Sequence, residues 1–170
     1  MLTMSQTAPD TGLLNLMRDS MARKEEELSE ELGSKYGVPP EEVADVVRSF
    51  LKDSYGPAMN LVEELATKGS PLLLFIGKKD CAVCCRCKPV IEDFLSRHAE
   101  LEMVALDYSQ PEGLLYHIIV NQGAGMLPLV AFILQGQLRL SFTGECSALS
   151  DYERCYSDIL SECSQNIYAN

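Results

Sequence analysis

Tryptophan is absent from the sequence, histidine occurs twice, and no apolar run approaches the roughly 20 residues needed to cross a bilayer. The two histidines, His98 and His117, fall on expected helices far in sequence from the cysteines, which argues against a Cys/His hydrolase. No glycine-rich phosphate loop or paired-carboxylate motif is present. Basic charge is also scarce. With 14 Lys and Arg against 25 Asp and Glu the formal net charge is −11, and so acidic a chain is a poor match for nucleic acid. Met1 to Gly12 lacks the basic and apolar regions of a secretory signal, so the expectation is a cytoplasmic protein with no membrane partner.

What the sequence does have is cysteine in one place. Four of its seven cysteines lie between positions 81 and 87, in Asp80-Cys81-Ala82-Val83-Cys84-Cys85-Arg86-Cys87-Lys88-Pro89. At 170 residues and 46% hydrophobic composition, the chain can build a core without disulfide staples. Close clustering of thiols suits a redox or metal site better than a framework of cross-links.

Periodicity divides the chain. Residues 1–11 are polar and aperiodic and read as a disordered lead-in. A helix is expected over Leu13–Tyr36, with Leu14, Met17, Met21, Leu28 and Leu32 forming a thin apolar stripe. That stripe suits either a solvated helix laid on its neighbours or a homodimer contact between N-terminal helices. Pro39-Pro40-Glu41-Glu42 starts a second helix whose apolar face is Val43, Val46, Val47, Phe50 and Leu51. Gly56-Pro57 is expected to break it, and a third helix runs from about Ala58 to Lys68 with Leu61, Val62 and Leu65 inward. These readings give a helical extension at 1–55 and a second domain at 56–170.

The second domain alternates. Leu72-Leu73-Leu74-Phe75-Ile76 reads as a strand buried on both faces, followed by a helix to about His98 and a strand at Glu102 to Leu106. A helix from Pro111, a hairpin of strands (Leu129 to Leu134 and Gln137 to Phe142) turning at Gln135-Gly136, and a last helix from about Ala148 to Ser164 complete it. The order is βαβ then αββα, an α/β domain with a mixed four-stranded sheet.

Between a buried strand and a helix, a Cys-x-x-Cys pair has a chemical rationale. The first thiol sits at the helix N-terminus, where free N–H groups and the macrodipole favour a thiolate, and the second lies one turn on. Such a pair can attack a disulfide and then resolve the mixed disulfide. Cys81/Cys84 fits better than Cys84/Cys87, because Cys81 directly follows the strand and loop. Lys78, Lys79, Arg86 and Lys88 are either thiolate-favouring charges set against Asp80 or ordinary solvated residues.

With Pro89 beyond the pair, Met126-Leu127-Pro128-Leu129 before a strand, and Gly144 after the hairpin, the stretch from about 57 to 163 resembles the thioredoxin family. The resemblance implies a thioredoxin-like fold preceded by the helical extension, and a thiol:disulfide oxidoreductase. In that role Cys81 is the nucleophile, Cys84 the resolving cysteine, and Leu127 with a cis Pro128 the binder of substrate backbone. It implies a protein disulfide substrate and an electron-donating reductase as partners, with no cofactor. It also marks two departures: Asp80 stands where the family has a tryptophan, and Phe75 where it has a buried aspartate that assists proton transfer at the second cysteine.

Cys85 and Cys87 stay open. On a helix, Cys84 and Cys87 lie about 60° apart and Cys85 and Cys87 about 160° apart, so the four sulfurs do not readily converge on one ion. A metal ion or iron–sulfur cluster held by Cys81, Cys84, Cys85 and Cys87 is the alternative to disulfide chemistry. A third exchanging thiol at Cys85 or Cys87, or an inert buried one, are further readings. Should the cysteines be redox-inactive, the chain is an interaction protein with a scaffold domain. Cys155 and Cys163, on the last helix, are expected in the core.

Overall fold

The computed structural model describes residues 3–5, 12–120, 125–146 and 148–167. Its elements are β1 (Thr3–Ser5), α1 (Leu13–Tyr36), α2 (Pro40–Thr67), β2 (Leu72–Gly77), α3 (Ala82–Arg97) and β3 (Glu102–Asp107). A 3-10 turn (Pro111–Leu114), α4 (Leu115–Ile119), β4 (Leu129–Leu134), β5 (Gln137–Thr143) and α5 (Leu149–Ile167) follow.

The sheet order is β1-β5-β4-β2-β3, with β2 parallel to β3 and the other neighbours antiparallel. The four expected strands are all present, and β1 adds a fifth at the edge, pairing Thr3 with Thr143. Part of the lead-in read as disordered is therefore a strand; its remaining positions lie outside the described residues. β4 and β5 join through Gln135 and Gly136, both at positive φ (52° and 73°), as a two-residue hairpin requires.

Alternation along the central strands explains why they read as unbroken apolar runs. Leu73, Phe75, Val130 and Phe132 face one core with Phe94 of α3 and Tyr152 and Tyr156 of α5. Leu72, Leu74, Ile76, Leu129 and Ala131 face a second core with Leu13 and Met17 of α1, Val62 and Leu65 of α2, and Leu115 of α4.

The largest departure from the sequence reading is α2. No break occurs at Gly56-Pro57: one helix runs from Pro40 to Thr67 with Pro57 inside it. An interior proline costs about 3 kcal/mol. Val47, Leu51, Ala58, Val62 and Leu65 are all buried along this helix, and each large aliphatic group buried contributes about 1.5–3 kcal/mol, so a continuous apolar face outweighs the defect. Residue 56, the expected start of the second domain, consequently lies within a helix whose two halves share a face. Val46 and Phe50, expected inward, are 68% and 60% exposed, while Val47 and Leu51, next to them on the helix, are the buried positions of its first half.

Candidate active site

β2 ends at Gly77, and a tight turn through Lys78, Lys79 and Asp80 leads into α3. Cys81 is the N-cap of that helix, with extended backbone (φ −87°, ψ 108°). A helix start leaves its first N–H groups without partners. Here the Cys84 N–H donates to Cys81 Sγ at 3.2 Å and the Cys85 N–H to the Cys81 carbonyl at 3.0 Å. The sulfur thus does what a serine or aspartate oxygen does at other N-caps.

The two thiols of the pair differ sharply. Cys81 is half-buried and Cys84 wholly buried. Burial, reinforced by its hydrogen bond with Cys81, pushes the Cys84 thiol up to about 12. Its surroundings are apolar. A Cβ placed on Gly77 would meet Phe75 Cε1 at 2.6 Å and Cys84 Sγ at 3.2 Å, so Phe75 and Cys84 meet where only glycine fits.

Leu127-Pro128 is a cis peptide, as the resemblance implied. Leu127 and Cys81 both pack against the apolar cluster that contains Cys84 and Cys87. The Pro128 carbonyl accepts from the Gly144 N–H at 3.0 Å, which ties the loop to the end of β5. Pro89 lies inside α3.

The cations divide. Arg86 is forked onto Glu145, Nε to Oε1 at 2.7 Å and a terminal nitrogen to Oε2 at 3.2 Å, and this hydrogen-bonded pairing holds the Glu145 carboxyl below its usual range. Lys78 faces Asp80 at 3.9 Å. Lys79 and Lys88 are exposed. Two of the four positive charges are therefore already met by carboxylates.

Cys85 and Cys87 part company. Cys85 is exposed, and its S–H donates to the Lys79 carbonyl at 3.7 Å. Cys87 points into the core at 0% exposure. Burial raises its pKa, and the Cys146 backbone N–H, near its sulfur, pulls against that rise. Among the described residues, no group of three or more His, Cys, Asp and Glu side chains is arranged to hold a metal ion, and no helix is long and apolar enough to cross a membrane.

No protein-family model matches the sequence, and no curated protein matches it. Solved structures do. Thioredoxin from Trypanosoma brucei brucei aligns at a TM-score of 0.50 and 12% identity, over 60% of this chain and 85% of that one. The chain has a thioredoxin-like fold. Mitochondrial thioredoxin 3 from Saccharomyces cerevisiae in its oxidised form (TM-score 0.49, 15% identity, 59% and 89% covered) and Fasciola hepatica thioredoxin (0.46, 19%, 58% and 88%) are also similar. Coverage of part of the chain fits an additional N-terminal region.

Within this thioredoxin-like frame, sequence reasoning missed Glu145 and Cys146. Glu145 is 59 residues from its partner Arg86, and no local pattern links them. Cys146 stood apart from the cluster in sequence, yet the fold sets it beside Cys87. Cys155 is buried and Cys163 half-buried against the core cluster, as expected of core cysteines.

Proposed function

We propose that this protein is a thiol:disulfide oxidoreductase acting on protein disulfides in a reducing compartment. The observation that carries the reading is the asymmetric pair: Cys81, half-buried at a helix N-terminus, accepts the Cys84 N–H at 3.2 Å, while Cys84 is sealed beneath it.

Cys81 loses its proton and attacks one sulfur of the substrate disulfide, forming a mixed disulfide and releasing the other substrate sulfur as a thiolate that takes up a proton. Helix N–H groups stabilise the attacking thiolate, and Lys78, Lys79, Arg86 and Lys88 bias the local field against Asp80. Leu127 and Pro128 present the substrate backbone to Cys81. Cys84 then gives up its proton and attacks Cys81 Sγ, which frees the second substrate thiol and leaves a Cys81–Cys84 disulfide. Two electrons have passed to the substrate, and an electron-donating reductase restores the dithiol.

Resolution is the demanding step. The Cys84 thiol sits at about 12, and its neighbour Phe75 carries no proton acceptor. Reduction of insulin or a model peptide disulfide tests the proposal. Turnover is expected in the natural protein and lost in Cys81→Ser; full activity in that variant overturns the reading.

A further inference from the structure

Disulfide exchange at Cys81 and Cys84 leaves three other buried thiols without a role, Cys87, Cys146 and Cys155, and the first two are brought together beside the start of α3. Cys87 and Cys146 are 0% and 2% exposed and belong to the same core cluster as Cys84. Three features hold them together. The forked ion pair between Arg86 and Glu145, each the residue immediately before one of these cysteines, clamps the first turns of α3 to the segment after β5. The Cys146 backbone N–H lies near enough to the Cys87 sulfur to favour its thiolate, against the burial that raises its pKa. Tyr152 closes the far side, its buried hydroxyl donating to the Cys146 carbonyl at 3.2 Å and lying within reach of the Cys146 thiol.

Cys87 also adjoins the first pair. It follows Cys84 by three positions on α3, and both side chains are fully buried on the inner face. Helix neighbours at that spacing carry Cβ atoms about 5–6 Å apart, some ~1–2 Å beyond the roughly 3.5–4.5 Å of a disulfide, so a bond between them takes a local shift of the first turns of α3. Cys81, half-buried, thus packs against the same core cluster that holds the buried Cys84, Cys87 and Cys146.

We propose, on the disulfide-exchange reading above, that Cys87 and Cys146 are a second, buried dithiol that takes over the disulfide formed at Cys81 and Cys84. The Cys87 thiolate attacks Cys84 Sγ, the Cys81–Cys84 bond breaks, and Cys81 leaves as a thiolate that takes up the proton Cys87 gave up. The Cys146 thiolate then attacks Cys87 Sγ, and Cys84 leaves in the same way and is protonated. Two electrons and two protons pass from Cys87 and Cys146 to Cys81 and Cys84, so the redox state of the chain as a whole is unchanged by the transfer. The oxidant is the substrate disulfide already consumed, and the reduced Cys81–Cys84 dithiol is free for a second substrate before any reductase acts. One chain therefore reduces two disulfides from its own thiols.

Fully reduced protein, stripped of reductant and mixed with excess peptide disulfide, gives the count directly. Two disulfides reduced per chain are expected in the natural protein and one in Cys146→Ala. One per chain in the natural protein overturns the second dithiol while leaving the proposed function standing, and none overturns both. Two per chain in Cys146→Ala also overturns it, since the second pair would then lie elsewhere. Peptide mapping of the reacted natural protein is independent of how the variant folds: a Cys87–Cys146 cross-link is expected, and a Cys81–Cys84 cross-link alone contradicts the transfer.

Discussion

Phe75 and Cys84 meet over the Cα of Gly77: a Cβ there would lie 2.6 Å from the Phe75 ring and 3.2 Å from Cys84 Sγ. The Cys84 thiol is thereby set against an aromatic edge, with carbon rather than a carboxylate at position 75 beside it.

Gly77→Ala tests that contact. The added methyl group must displace a rigid ring or the sulfur, and overpacking of this kind costs about 1–3 kcal/mol. Thermal unfolding is expected to shift downward and disulfide turnover to fall with it. An unchanged melting temperature would mean that Phe75 and Cys84 do not press on Gly77.

Alkaline pH provides a second test. The folded-state pKa of Cys84 is raised to about 12, and that of Cys146 to about 11, both chiefly by burial, whereas unfolded thiols titrate near ~8.5. A raised folded pKa means that the fold favours the protonated thiol. Its stabilising contribution is complete below about 8.5 and is lost as pH climbs toward the folded values. Urea midpoints of the reduced protein are expected to fall between pH 8 and pH 10, and the slope to flatten in Cys84→Ala. A midpoint that rises with pH would contradict the assignment.

The fold was legible where the signal was local. The run from Leu72 to Ile76, the Gln135-Gly136 turn and the placement of Cys81 ahead of a helix all follow from pattern and spacing, and the structure puts them there. Pro57 misled because a proline reads as a stop, while the face that overrules it, Val47 to Leu65, only has value once α1 and the sheet are in place. Val46 and Phe50 misled as well: they have helical spacing, but Val47 and Leu51 beside them take the buried positions. Glu145 and Cys146 were invisible as neighbours of the cluster, since only the return of the chain through β4 and β5 brings them to α3.

Integration of the N-terminal helices has its own consequence. Met17 of α1 is fully buried in the core formed with β2, β4 and α2. Met17→Ala is expected to destabilise the protein by about 2–5 kcal/mol, read as a lower midpoint of a single denaturation transition. A separate early transition, with the sheet domain unaffected, would show that the helices form an independent unit.

The alternative use of the cluster also makes a measurable claim. Cys85 faces solvent and the Lys79 carbonyl, while Cys84 and Cys87 face the core. Protein purified without oxygen is expected to be colourless and metal-free, with its thiols titratable. A visible absorbance band with stoichiometric metal would favour the cluster-binding reading instead.

On the proposed function, Cys81 makes the first bond to a substrate sulfur. Mixing reduced Cys84→Ser with a peptide disulfide and mapping the trapped adduct by mass spectrometry tests it most directly. A single mixed disulfide on Cys81 is expected. An adduct on Cys85 or Cys87 with Cys81 unmodified, or no adduct at all, would contradict it.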